Sequence, residues 1–274
     1  MPAFICTTCG TQYPPSEAPP AGCPICQDER QYVNVLGQSW TTLAAMRRTH
    51  FATFRQHESN LVGIGTMPAF AIAQRALLVR TPQGNILWDC ISFIDDATIE
   101  IVRGMGGIAG IAISHPHYYS AMIEWSHAFG SAPIHLHTRD RKWVMRPDPV
   151  VQFWDGPSKQ LLPGVTLLHC PGHFAGAQVL HWAAGAGGKG ALLSGDIVQV
   201  GWDRKVSFMR SYPDLIPLDR ATVEHIASVL EPWPFEPIYG AWWDRVLPAD
   251  GKAVLAYSVR RYIDAITAPP RDGG

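Results

Sequence analysis

His115-Pro116-His117 sets two imidazoles one residue apart, one residue beyond the apolar run Gly107-Ile108-Ala109-Gly110-Ile111-Ala112-Ile113. A run of that kind reads as a buried strand, and the two-residue period of extended chain sends His115 and His117 to the same side. Downstream, Pro171-Gly172-His173 and Ser194-Gly195-Asp196 add a third imidazole and a carboxylate. Asn85-Ile86-Leu87-Trp88-Asp89 is another strand-like run that ends in an acid. Imidazole suits zinc, iron and similar borderline cations, and three imidazoles with one carboxylate make a catalytic type of site with an open position. The expected ligands are His115, His117, His173 and Asp196, the last serving either as fourth ligand or to orient a water.

These strand-end signals, in this order, resemble the metallo-β-lactamase-fold superfamily, which includes hydroxyacylglutathione hydrolases, lactonases, phosphodiesterases and persulfide dioxygenases. The resemblance runs from about Gln38 to the C-terminus. The family pattern is a strand ending in Asp, then His-x-His-x-Asp-His, a His after Pro-Gly, a Gly-Asp and a late His. Asp89, His115, His117, His173 and Asp196 match it. Tyr119 and Ser120 stand where the family has Asp and His, and Trp242 stands where it has the late His. In the family those three residues hold a second ion, and neither a phenol nor an indole replaces them as an easy ligand. The resemblance therefore implies an αββα sandwich, α/β in class, with one zinc or iron instead of two.

Four cysteines carry a second strong signal. Cys6-Thr7-Thr8-Cys9 and Cys23-Pro24-Ile25-Cys26 are two C-x-x-C knuckles separated by thirteen residues, a spacing that closes four thiolates around one ion. They resemble the knuckles of rubredoxin and of the rubredoxin-like tail of rubrerythrins. Four-sulfur geometry accepts zinc or iron, and structural zinc is the expectation, because no electron acceptor is evident elsewhere. A module of this size needs such a staple to fold. The expected division is a ribbon over 1–36 and a large domain over 37–274. Cys90 and Cys170, beside apolar runs, read as inert buried thiols.

Length and charge bound the rest. A chain of 274 residues with formal net charge −1 has no global basic field to steer nucleic acid or anionic lipid. Charged residues make up only 16% and apolar residues 47%, which fits extensive buried surface or a homo-oligomer interface. The start lacks a basic segment and a long apolar run, and no stretch approaches the roughly 18 apolar residues of a membrane span. The expectation is a cytoplasmic protein whose partner is a small-molecule substrate, with neither nucleic acid nor membrane.

Between the motifs, residues 40–54 have mixed helical spacing. Residues 69–79 and 85–89 read as a hairpin around Thr81-Pro82-Gln83-Gly84. Helical patterns fall at 95–103, 119–129, 220–230 and 253–266, and strand patterns at 133–136, 150–154, 165–169, 178–182 and 191–193. Gly185-Ala186-Gly187-Gly188-Lys189-Gly190 lacks the spacing of a phosphate loop and reads as a hairpin turn. His135 and His137, a second His-x-His without downstream partners, read as structural.

The leading functional expectation is a mononuclear metallo-hydrolase of a small ester, thioester or lactone that uses metal-activated water. Asp196 would serve the nucleophile, and Tyr119 or its neighbour Tyr118 would donate a hydrogen bond to a developing oxyanion. Trp242 and Trp243 would wall the substrate pocket. The alternatives are a non-haem iron oxygenase of the persulfide-dioxygenase type and a non-catalytic binding or sensor protein.

Overall fold

The computed structural model describes residues 1–268. At the N-terminus, β1 (Ala3–Cys6) pairs antiparallel with β2 (Gln12–Pro15) on one side and with β3 (Trp40–Thr42) on the other. The ribbon thus recruits a strand from beyond residue 36. Its apolar residues Tyr13 and Ile25 join the same buried cluster as the large domain's Ile91, Tyr119 and Phe174.

Two sheets form the large domain. The first has seven strands, in the order β10 (Val151–Trp154), β9 (Ile134–His137), β8 (Gly110–Ala112), β7 (Gly84–Trp88), β6 (Ala76–Thr81), β5 (Leu61–Met67), β4 (Phe51–Glu58). The second runs β11 (Ser158–Leu162), β12 (Val165–His169), β13 (Gln178–Trp182), β14 (Ala191–Gly195), β19 (Ile238–Gly240), β20 (Val246–Leu247). Two short hairpins, β15 (Gln199–Val200) with β16 (Val206–Ser207) and β17 (Met209–Ser211) with β18 (Ile216–Pro217), fill the crossover after β14.

Strand alternation builds the layers. Leu77, Val79, Ile86 and Trp88 of one sheet meet Val165, Leu167, Leu180, Trp182 and Leu193 of the other in a single cluster between the sheets. Residues of opposite parity, Leu78, Leu87, Leu168, Val179 and Leu192, turn outward and pack under helices through Val102, Trp125, Val223 and Ile226. Asp95 and Asp219 cap two of those helices, accepting from Thr98 N at 2.8 Å and Thr222 N at 3.0 Å. The result is the expected αββα sandwich.

Residues 40–54 depart from their helical reading. Only Leu43–Met46 is helical, and Phe51 already begins β4. Among the described residues that strand pairs only with β5, at the sheet edge, and it is only partly buried, so its sequence carries no clean alternation. The Gly-rich segment 185–190 joins β13 to β14 as a turn, with Ala186 and Gly187 at positive φ. No helix among the described residues is long and apolar enough to cross a membrane.

Candidate metal centre

One atom each from His115, His117, His173 and Asp196 converges so that all four lie within 4.8 Å of one another. They arrive from three loops: His115 and His117 after β8, His173 between β12 and β13, Asp196 directly after β14. All four side chains are buried, at 1–4% exposure.

The His-x-His pair converges by a route other than strand alternation. Strand β8 ends at Ala112, and His115 is the extended residue that precedes a 3-10 turn over Pro116–Tyr118. Proline fixes the first turn residue, and the turn swings His117 back so that its ring lies 5.1 Å from that of His115. Asp89 holds this turn in place. Its carboxylate accepts from Ser114 N at 2.7 Å, and Ser114 Oγ lies 2.9 Å from His115 Nδ1. Asp89 is thus a support for the centre and not a ligand.

Hydrogen bonds fix which nitrogens are bare. His173 Nδ1 faces the carbonyl of Met209 at 3.1 Å and must donate to it, which leaves Nε2 with its lone pair. That lone pair lies 3.3 Å from His117 Nδ1, near the roughly 3.4 Å edge of a tetrahedron with metal–nitrogen bonds of roughly 2.1 Å. His115 Nε2 stands 3.7 Å from Asp196 Oδ2. His115 Nε2 and Asp196 Oδ1 are fully buried with no hydrogen-bond partner, an arrangement that is costly unless a cation satisfies both. Burial, with the neighbouring imidazoles, pushes His115 and His117 well below the usual histidine range, and burial lowers His173 to about 4. All three are neutral at physiological pH, the state in which imidazole binds metal. The donor set fits one zinc or iron.

The residues expected to have lost the second ion serve other purposes. Ser120 Oγ accepts from Gln74 Nε2 at 2.9 Å, and its carbonyl accepts from Gln12 N of the ribbon at 3.0 Å. Tyr119 lines a small space with Thr11, Gln12, Met122 and Met145, on the ribbon side. The indole of Trp242 donates to the Ile72 carbonyl at 2.7 Å and meets the Tyr118 ring edge-on at 6.3 Å. Of the two tyrosines, Tyr118 belongs to the centre. Its ring is 4.4 Å from that of His115, and its hydroxyl points at Asp196 without completing a hydrogen bond. Burial keeps that hydroxyl protonated, and it raises the Asp196 carboxyl to about 7. Trp243 lies further out, over Gly63 and Gly65, where a Cβ would come within 2.7 and 2.6 Å of its ring. Trp242 and Trp243 line a cleft of about 410 Å³ with Ala73, Gln199, Trp202, Asp244 and Arg245.

In the ribbon, the sulfurs of Cys6, Cys9, Cys23 and Cys26 also lie within 4.8 Å of one another, with Cys6 to Cys26 at 3.5 Å and Cys9 to Cys23 at 3.6 Å. Metal–sulfur bonds of roughly 2.3 Å give a tetrahedral edge near roughly 3.8 Å, so one ion fits. Tyr13 Oη donates to Cys23 at 3.2 Å and Gln38 Nε2 to Cys6 at 3.1 Å, as thiolate ligands require of their surroundings. Cys90 and Cys170 are buried, and burial raises both thiols, Cys170 to about 12. His137 stacks on His169, their ring centroids 3.8 Å apart.

Several supporting groups carry no spacing signal in the sequence. The Met209 carbonyl arrives from a two-strand hairpin, and Tyr212 donates to the Asp196 carbonyl at 2.8 Å. Asp140 accepts from Gly176 N at 2.9 Å and so ties down the His173 loop. Only Ser114, a hydroxyl directly before the first His, was open to inference.

No protein-family model matches the chain. The relative described as "Uncharacterized protein YmaE" of Bacillus subtilis (strain 168) is 45% identical over 271 residues, 98% of each chain. Among solved structures, the fold is similar to that of VMB-1, with a TM-score of 0.59 at 12% identity, and to the DIM-1 metallo-β-lactamase, with 0.59 at 14%; each match covers 79% of this chain and 98% of the other. The metallo-β-lactamase SMB-1 is similar at a TM-score of 0.52 and 17% identity, over 79% of this chain and 95% of its own. The large domain has the metallo-β-lactamase fold, and the chain belongs to the family of Bacillus subtilis YmaE.

Proposed function

We propose that the protein is a mononuclear metal-dependent hydrolase acting on a small-molecule ester, thioester or lactone. The observation that carries this reading is the buried convergence of His115, His117, His173 and Asp196 with bare donor atoms, beside positions 119, 120 and 242, which offer no second ion a ligand set. A bound zinc or iron would supply Lewis acidity, lowering the pKa of water and polarising an acyl oxygen.

The chain's own residues account for the rest. Three neutral imidazoles leave an open face for water and substrate. Asp196, its carbonyl fixed by Tyr212, holds a carboxylate oxygen where it can accept a proton from the attacking water. Tyr118 Oη, protonated and unpartnered, donates to the oxyanion that develops on the acyl carbon. Phe174 packs within 5.6 Å of all three imidazoles and excludes bulk water from them. The Trp242 and Trp243 wall favours a substrate with a flat apolar portion.

The test begins with elemental analysis of natively purified protein beside Cys6→Ser and His173→Ala variants. Two ions per chain, with one lost in each variant, is the expected result. Metal-loaded protein that hydrolyses nothing across a broad panel of esters, thioesters and lactones would overturn the hydrolase reading. Iron at the histidine site together with oxygen uptake on thiols would replace it with an oxygenase.

A further inference from the structure

Arg75 is 1% exposed, directly before β6, and its guanidinium is only partly satisfied. Nη1 donates to the Trp242 carbonyl, while Nε and Nη2 are buried with no hydrogen-bond partner. Those two nitrogens share one edge of the guanidinium, and their N–H bonds run side by side. That edge is the fork which grips both oxygens of a carboxylate. Asp89 attracts this cation through space, but no carboxylate among the described residues completes an ion pair with it. Burial lowers Arg75 only to about 9, so it is charged at physiological pH. A charge buried with two donors unmet is strongly unfavourable unless something occupies the fork.

The surroundings define the occupant. Tyr118, whose hydroxyl is the next unpartnered donor, adjoins both Asp89 and Asp196. The guanidinium carbon lies 5.6 Å from the Trp243 ring, and Trp243, with Trp242, also lines the neighbouring aromatic cleft.

We propose that the Nε/Nη2 edge of Arg75 is a carboxylate-binding fork, and that the ligand of this site is a small organic acid bearing a flat apolar group. As an account of substrate class this rests on the hydrolase reading, with the scissile bond at the metal and the carboxylate on Arg75. The binding itself does not depend on turnover.

Phenylacetate, which has no bond for a hydrolase to cleave, is the probe, and its neutral isostere phenylacetamide is the control. Titration of natively purified holoprotein is followed by calorimetry and by tryptophan fluorescence, since Trp243 borders the fork. The expected result is saturable binding of the acid, with the amide weaker by roughly tenfold or more, the value of hydrogen bonds to a charged group. Arg75→Met is expected to abolish the acid's advantage over the amide. Arg75→Lys, which keeps the charge and loses the fork, is expected to retain part of it, and it carries the test if the methionine variant does not fold. Equal binding of acid and amide, or an acid preference that survives in both variants, would show the fork to be filled by water and overturn the proposal. Inorganic phosphate that competes for the fork better than phenylacetate would also overturn the carboxylate assignment. Binding with no turnover on any ester defeats the hydrolase reading alone, whereas turnover without acid-selective binding defeats this inference alone.

Discussion

The guanidinium of Arg30 lies 4.1 Å over the ring of Phe174, and its Nη1 faces the carbonyl of His173 at 3.4 Å. The ribbon therefore touches the loop that carries a metal ligand of the large domain. Asp28, held below the usual carboxylate range by its hydrogen bonds to Arg30, fixes the guanidinium through a 2.8 Å contact to Nη2. Gly10 completes the docking from the first knuckle: its carbonyl accepts from Ser92 Oγ at 2.7 Å. Arg30→Ala removes the contact that braces the His173 loop. Groups that orient metal ligands are worth roughly 10–100-fold in affinity. Chelator competition should show the ion at the histidine site bound at least roughly tenfold more weakly, with the four-cysteine ion unchanged. Equal retention of both ions would show that the ribbon is only docked there.

The two adjacent tyrosines separate by role. Tyr118→Phe deletes the hydroxyl that faces Asp196 and should lower kcat by about 100-fold on whatever ester proves active, with little change in KM. Tyr119→Phe, on the ribbon side, should change kcat by less than about threefold, well under the loss of an oxyanion donor. Metal content should be the same in both variants. A larger loss from Tyr119→Phe would reverse the assignment.

How far the sequence could be read follows from where each signal resides. His115, His117, His173 and Asp196 were legible because ligand type and strand-end position are local properties, and local turns such as Pro116 and Gly195 mark them. The same holds for the four cysteines, whose knuckle spacing is itself the geometry. Strands such as β12 and β13 were legible from short apolar runs, whereas β4, paired on one edge only, was not. Tyr118 and Tyr119 could not be separated, because adjacent residues entering a 3-10 turn diverge by an angle that strand logic does not supply. Arg75 had no signal at all. A lone arginine before a strand looks like a solvated end, and only the chain returning at Ala241, whose carbonyl accepts from Arg75 N at 2.8 Å, buries it.

Gly195 shows how tightly the centre is packed. Its φ is +53°, and a Cβ there would lie 2.5 Å from Ser114 Oγ, the group that orients His115. Gly187, at φ +65°, has nothing within 4 Å of the same construction. Alanine at either position carries the left-handed backbone cost of about 1–2 kcal/mol. Only Gly195→Ala must also push Ser114 away. Denaturant unfolding should therefore rank Gly195→Ala clearly below Gly187→Ala, and elemental analysis should show reduced occupancy of the histidine site in the first alone. Equal stability and full occupancy in both would contradict the packing around Ser114.

Asp140 makes a pH prediction with a definite sign. It is 1% exposed, accepts from Gly176 N through Oδ1, and leaves Oδ2 without a partner. Burial raises its carboxyl to about 6, against the hydrogen bond from Gly176 and the attraction of Arg30 and Lys142. A carboxyl that holds its proton more tightly in the folded chain favours folding most when protonated in both states. Its contribution is therefore complete below about pH 4, declines as pH rises toward about 6, and is absent above that. The full swing is at most about 3 kcal/mol. Asp140→Asn keeps an acceptor for Gly176 and cannot ionise, so the stability of wild type relative to this variant should fall across the same window. Urea unfolding of both proteins at pH 4 and pH 7 reads the difference directly. A wild type that instead gained on the variant as pH rose would mean that Asp140 is ionised to advantage, with Arg30 outweighing its burial.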